Sequence, residues 1–188
     1  MTQYSRHIGQ RISARGIACL LLACCLLLSM VHKVQADERE YKIEAVFLYN
    51  FFNYITWPGY HTPEDMKQAT ICIPGGDPIR PYLEYIQHKR AQERKLDIRQ
   101  INDGIPLTEC RIFFIREIND SAIAKLHSLT ESDGILLVST EPAFVDKGGM
   151  IGLVPEGERM AFEIDNSQLA HAHFQVSSRL LDLATRVK

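Results

Sequence analysis

The residues able to do chemistry fall into four short patterns. Pro74-Gly75-Gly76-Asp77 separates an apolar run from a helical one, a position where α/β proteins bind anions on backbone amides. Its glycines match neither the dinucleotide fingerprint nor the P-loop spacing. A structural turn therefore competes with a small-ligand site at Gly75, Gly76 and Asp77. His171 and His173 offer two imidazoles one residue apart, but no Cys, Asp or Glu stands nearby in register to complete a metal set. Ser139-Thr140 ends a strand-like run without the GxSxG elbow of a serine nucleophile. The carboxylates form no pattern tied to a reaction. These features point away from an enzyme and imply no metal and no cofactor.

Cys72 and Cys110 are the fourth pattern, and their meaning depends on the compartment. Residues 1–36 carry Arg6, Arg11 and Arg15, no acid, an apolar run from Ile17 to Val31, and then Val34-Gln35-Ala36. Basic, apolar and small, in that order, predicts a secretory signal peptide cleaved after Ala36. An uncleaved anchor is the alternative, although the run is short for a membrane span. Leu21-Leu22-Ala23-Cys24 loosely resembles a lipid-attachment site, but the apolar run continues past Cys24 through Leu28. Export removes Cys19, Cys24 and Cys25 and leaves Cys72 and Cys110 in an oxidising compartment. An even count there favours a disulfide. Both lie in apolar strand-like runs, so a bond across neighbouring strands is sterically open. Two buried thiols are the alternative.

Loss of the leader also shifts the charge. Without Arg6, Arg11, Arg15 and Lys33, the 21 basic residues become 17 against 23 acidic ones, a net charge of −6. Nucleic-acid binding asks for a basic face, so that class is excluded. Residues 37–188 are of a length that suits one domain with its own core.

The element that must organise that core is Tyr41 to Pro58, YKIEAVFLYNFFNYITWP. At 100° per residue, Lys42, Asn50, Asn53 and Thr56 take one side and Glu44 stands apart. Apolar residues fill the remainder, which predicts a helix buried over most of its circumference. Trp57-Pro58 ends it. Strands are expected at Ala69–Ile73, Leu96–Ile101, Cys110–Ile115 and Gly134–Ser139. Helices are expected at Ile79–His88 and through Ile123, Leu126 and Leu129. A hairpin turning at Pro155–Glu158, a short helix capped by Asp165 and a closing helix capped by Ser177 complete the chain. Alternating strands and helices predict an α/β fold, a single layered domain with a central mixed sheet flanked by helices.

Several of these residues carry a resemblance. Tyr41-Lys42, Ala45, Phe47-Leu48-Tyr49-Asn50-Phe51 and Trp57-Pro58 resemble the opening of the YfiR family of periplasmic regulators. Gly148-Gly149-Met150-Ile151, Phe162-Glu163-Ile164 and Leu180-Leu181-x-Leu183-Ala184 match further along, in order. The resemblance implies a periplasmic protein that inhibits the sensor part of an inner-membrane signalling enzyme, a diguanylate cyclase or otherwise a sensor kinase. It also implies a homodimer and sequestration by an outer-membrane-associated lipoprotein. Two departures stand out: some relatives have a second cysteine pair near the Gly-Gly-Met stretch, and many have asparagine in place of Asp165.

For such a regulator, the partner surface is expected in the C-terminal third. Met150 and Ile151 follow two glycines that bare the backbone, and the thioether is adaptable. Glu163 points away from the face built by Met160, Phe162 and Ile164. Leu169, on the short helix after Asp165, is expected to add an apolar contact.

Overall fold

Residues 37–54 form helix α1, and the apolar density of that stretch explains its place in the centre of the packing. The computed structural model describes residues 37–62, 66–101 except 91–94, 107–119, 122–123, 126, 133–157 and 159–188. The leader, its cleavage position, and most of the helix expected around Leu126 and Leu129 lie outside the described residues. The chain divides into two units, Met1–Arg39 and Glu40–Lys188, and the second holds the fold.

The helix stops at residue 54, earlier than the sequence suggests. Ile55–Thr56 instead form strand β1, antiparallel to β8 (Gln175–Val176). Two β-branched residues favour that switch, and the Ser177 amide donates to the Tyr54 carbonyl at 2.9 Å. Inside, Ala45, Leu48, Tyr49, Phe51 and Phe52 are buried. Phe47 and Phe51 meet Phe162 edge-on at 5.4 and 5.8 Å, and Phe52 stacks on Trp57 at 4.9 Å. Offset and edge-on aromatic pairs of this kind add to the burial of their area.

Seven strands form the main sheet. They are β2 (Gln68–Pro74), β3 (Lys95–Ile101), β4 (Ile112–Ile115), β5 (Leu136–Ser139), β6 (Ile151–Glu156), β7 (Arg159–Ile164) and β9 (Arg186–Val187), in the order β3-β2-β4-β5-β6-β7-β9. The β6–β7 hairpin pairs antiparallel and every other pair is parallel. With α1, α2 (Arg80–Arg90), α3 (Asn166–His171) and α4 (Ser178–Leu183), this is the expected α/β fold with a mixed sheet flanked by helices. Strand β5 is buried at all four positions, as a strand covered on both faces must be. The two-residue β9 had no visible signal. It exists because the end of the chain adds to β7, pairing Glu163 with Arg186 and Ile164 with Val187.

Gly149 is present because of a close approach. A Cβ built there would stand 2.2 Å from the Phe144 ring, and Phe144 is a fully buried core residue. We expect Gly149→Ala to destabilise the domain by about 1–3 kcal/mol through overpacking. A urea titration checks this, and Phe144→Leu in the same chain should recover part of the loss.

Candidate functional site

The strand order reverses between β2 and β4. The chain runs from β2 through α2 to β3 on one side, then continues with β4 and β5 on the other. Open α/β sheets place their crevice at the carboxyl ends of the strands at such a point. Gly75, Gly76 and Asp77 follow β2 there, and Arg116 follows β4. Gly76 takes a φ of +80°, which its missing side chain permits. The Asp77 carboxylate accepts the Ile79 amide at 2.9 Å and so caps the entry to α2.

Arg116 joins three elements. Its Nε donates to Asp77 Oδ1 at 3.2 Å, its Nη1 to Glu44 Oε1 at 2.7 Å, and its Nη2 to Glu44 Oε2. The guanidinium also lies 4.6 Å from the Tyr41 ring centroid and 5.1 Å from that of Phe114. Glu44, from α1, is completely buried. Burial pushes its carboxyl above the ordinary value of 4.5, against the pull of Arg116. Despite its own burial, Arg116 is held more firmly protonated by Glu44 and Asp77. The crevice is thus filled by a carboxylate of the chain itself. Sequence reasoning missed this pair. The available signal was Glu44, one acid on the apolar sector of α1, since a buried charge demands a partner.

A second charged cluster lies at the β9 edge. Arg186 donates to Asp146 at 2.8 and 2.9 Å and to Glu163 at 2.7 Å. The hydrogen bond from Arg186 holds Asp146 below its ordinary value. Glu163 therefore does point away from the core, as expected. Met150, Ile151 and Leu169 do not form a surface beside it: all three are 0% exposed. The Met150 sulfur accepts the Leu137 amide at 3.5 Å, Ile151 begins the strand that pairs with β5 and β7, and Leu169 is the buried side of α3. The glycines do not bare this segment, because the Phe144 ring covers Gly149.

Asp165 is likewise turned inward. It caps α3 by accepting the Gln168 amide at 3.0 Å and the Ser167 hydroxyl at 2.5 Å, and Lys188 lies 3.3 Å from Oδ2. Against the cost of burial, these contacts hold its carboxyl below the ordinary value. Its extra charge relative to asparagine faces Lys188, whose side chain is about half exposed. His171 and His173 are both exposed.

Cys72 and Cys110 form a disulfide with a Cα–Cα distance of 5.7 Å, and both are buried. Cys110 is not in a strand. It lies between the 3₁₀ turn Leu107–Glu109 and β4, and the bond ties that turn to the middle of β2.

The chain is a layered α/β domain whose charged residues bind one another across elements. The chain belongs to the YfiR/HmsC-like family (DUF4154), whose profile matches residues 41–185. Members of this family are known as periplasmic regulators of diguanylate cyclases. No curated protein matches the chain. Among solved structures, the ABC domain in complex with L-Trp from Streptococcus pneumonia is similar at a TM-score of 0.50 and 9% identity, over 75% of this chain and 59% of that one. A conserved domain protein from Vibrio cholerae O1 biovar El Tor str. N16961 gives 0.47 and 12%, over 65% of this chain and 55% of the other. The chain thus spans less than two thirds of either structure, and the first likeness is one of fold alone. No helix among the described residues is long and apolar enough to cross a membrane.

Proposed function

We propose that this protein is an exported periplasmic regulator that binds and inhibits the periplasmic sensor part of an inner-membrane signalling enzyme. A diguanylate cyclase is the expected enzyme, and a sensor kinase is the alternative. Membership of the YfiR/HmsC-like family over residues 41–185 carries this reading. A homodimer, and sequestration by an outer-membrane-associated lipoprotein, belong to the same proposal. So does cleavage after Ala36, which the intact mass of protein from a periplasmic extract tests.

A regulator of this kind acts by binding two states of its partner unequally. Its surface needs apolar anchors and a few oriented charges. The β9 edge has both: Glu163, Asp146 and Arg186 form the charged part, and Leu183 and Val187 are exposed at 62% and 46%. Met150, Ile151 and Leu169 are buried and take no part in that surface.

Glu163→Lys is expected to keep the fold, since Asp146 still holds Arg186, and to lower partner co-purification about tenfold. Loss of one charge-assisted contact at an interface has that size. Cellular cyclic-di-GMP should rise in parallel. A folded variant that binds and represses like wild type would refute this surface. The alternative of a small-ligand sensor at Gly75, Gly76 and Asp77 is disfavoured because Glu44 already occupies Arg116.

A further inference from the structure

We infer that the chain carries an anion-binding site centred on Arg111, at the end of the sheet opposite the Asp77 crevice, for a small molecule bearing a phosphate or carboxylate. An open concavity of about 550 Å³ lies there, lined by Tyr60, Lys67, Thr70, Arg99, Glu109 and Arg111, with Gln68 at its edge. This volume is in the range that holds a metabolite-sized ligand. Lys67, Arg99 and Arg111 line it with one carboxylate, Glu109, on a chain that is acidic overall after residue 36. The carboxylate is already engaged, because Arg99 pairs with Glu109 as well as with Asp97. Among the described residues, the Arg111 guanidinium has no hydrogen bond or ion pair. Its planar fork suits a two-oxygen anion.

The site is also rigidly built. The Arg111 amide donates to the Thr70 carbonyl at 2.9 Å, and the Arg111 carbonyl accepts the Leu136 amide at 2.9 Å and the Trp57 indole at 3.1 Å. The preceding residue is Cys110, fixed by the disulfide. The turn Trp57–Tyr60 closes with the Tyr60 amide on the Trp57 carbonyl at 3.1 Å and brings Tyr60 to the same rim. Thr70, 5% exposed, contributes a hydroxyl from β2. The held backbone fixes where the Arg111 side chain starts, and the cost of binding is confined to ordering that side chain. The Trp57 turn, the start of β2 and the disulfide-linked turn before β4 thus meet around one unspent guanidinium.

The test uses the mature protein at constant ionic strength, titrated with inorganic phosphate, citrate and, as control, chloride. Vesicles of phosphatidylcholine with and without phosphatidylglycerol separate a free anion from a lipid headgroup. The expected result is a saturable rise in melting temperature with phosphate or citrate that chloride does not give. Arg111→Gln should keep the melting temperature of the free protein and weaken binding about tenfold, as loss of a charge-assisted contact does. Glu109→Gln should tighten it about threefold by removing an opposing rim charge. Binding to anionic vesicles alone, lost in Arg111→Gln, would still support the site and assign the anion to a headgroup. No saturable response to any probe, or a response that Arg111→Gln leaves unchanged, would overturn the inference.

Discussion

Cys72→Ser is expected to lose about 4 kcal/mol of stability, the chain-entropy value for releasing a loop of this length. The bonded residues are 38 apart in sequence. For a domain of this size that is a large share of the total. The bond also fixes the turn that precedes β4, so its loss should loosen that end of the sheet first. Urea unfolding of wild type with and without reductant, beside the variant, measures the effect. Non-reducing peptide mapping should recover the linked pair. A variant that unfolds at the wild-type midpoint would show that the bond does not stabilise the fold.

The second large effect is at Arg116. Arg116→Met should cost about 3–5 kcal/mol, because it leaves a buried carboxylate without its counter-ion. Glu44 is 0% exposed and the Asp77 side chain is 4% exposed, so neither is rescued by water. Glu44→Gln should cost less, since a neutral amide is cheaper to bury. Combining the two changes should cost less than their sum, which a double-mutant cycle reads. Because burial raises the carboxyl of Glu44, the folded state holds its proton more tightly than the unfolded chain. The stability this residue contributes is therefore full below about 4.5 and is lost as pH rises through the raised value. Glu44→Gln should flatten that part of the pH–stability curve. An unchanged curve would mean that Glu44 titrates normally.

Periodicity made most of the fold legible. The apolar density of α1, the covered run at β5 and the turn signals around β6 and β7 follow from local rules, and the α/β architecture follows from their order. The even cysteine count led to the disulfide, although Cys110 proved to lie in a turn before its strand. Local rules failed where the partner was distant in sequence. Ile55–Thr56 left the helix because of Gln175–Val176, and β9 formed because β7 offered it an edge. In the closing helix Leu180 is laid inward, and Leu183, three residues on, is left 62% exposed.

The sites divide in the same way. By itself the sequence determined that Gly75-Gly76-Asp77 is a turn between strand and helix, that Glu163 faces away from Phe162, and that no reaction motif is present in the pattern of residues. It could not determine that Arg116 meets Glu44, 72 residues away. Nor could it show that Met150, Ile151 and Leu169 are buried, or that Tyr60, Thr70 and Arg111 share one concavity. The face a side chain shows within its own element is set by backbone periods of two or 3.6 residues, which the sequence displays. Whether that face meets solvent, core or an opposite charge depends on which elements pack against it. That is decided by long-range burial and pairing, and these exist only once the chain has folded.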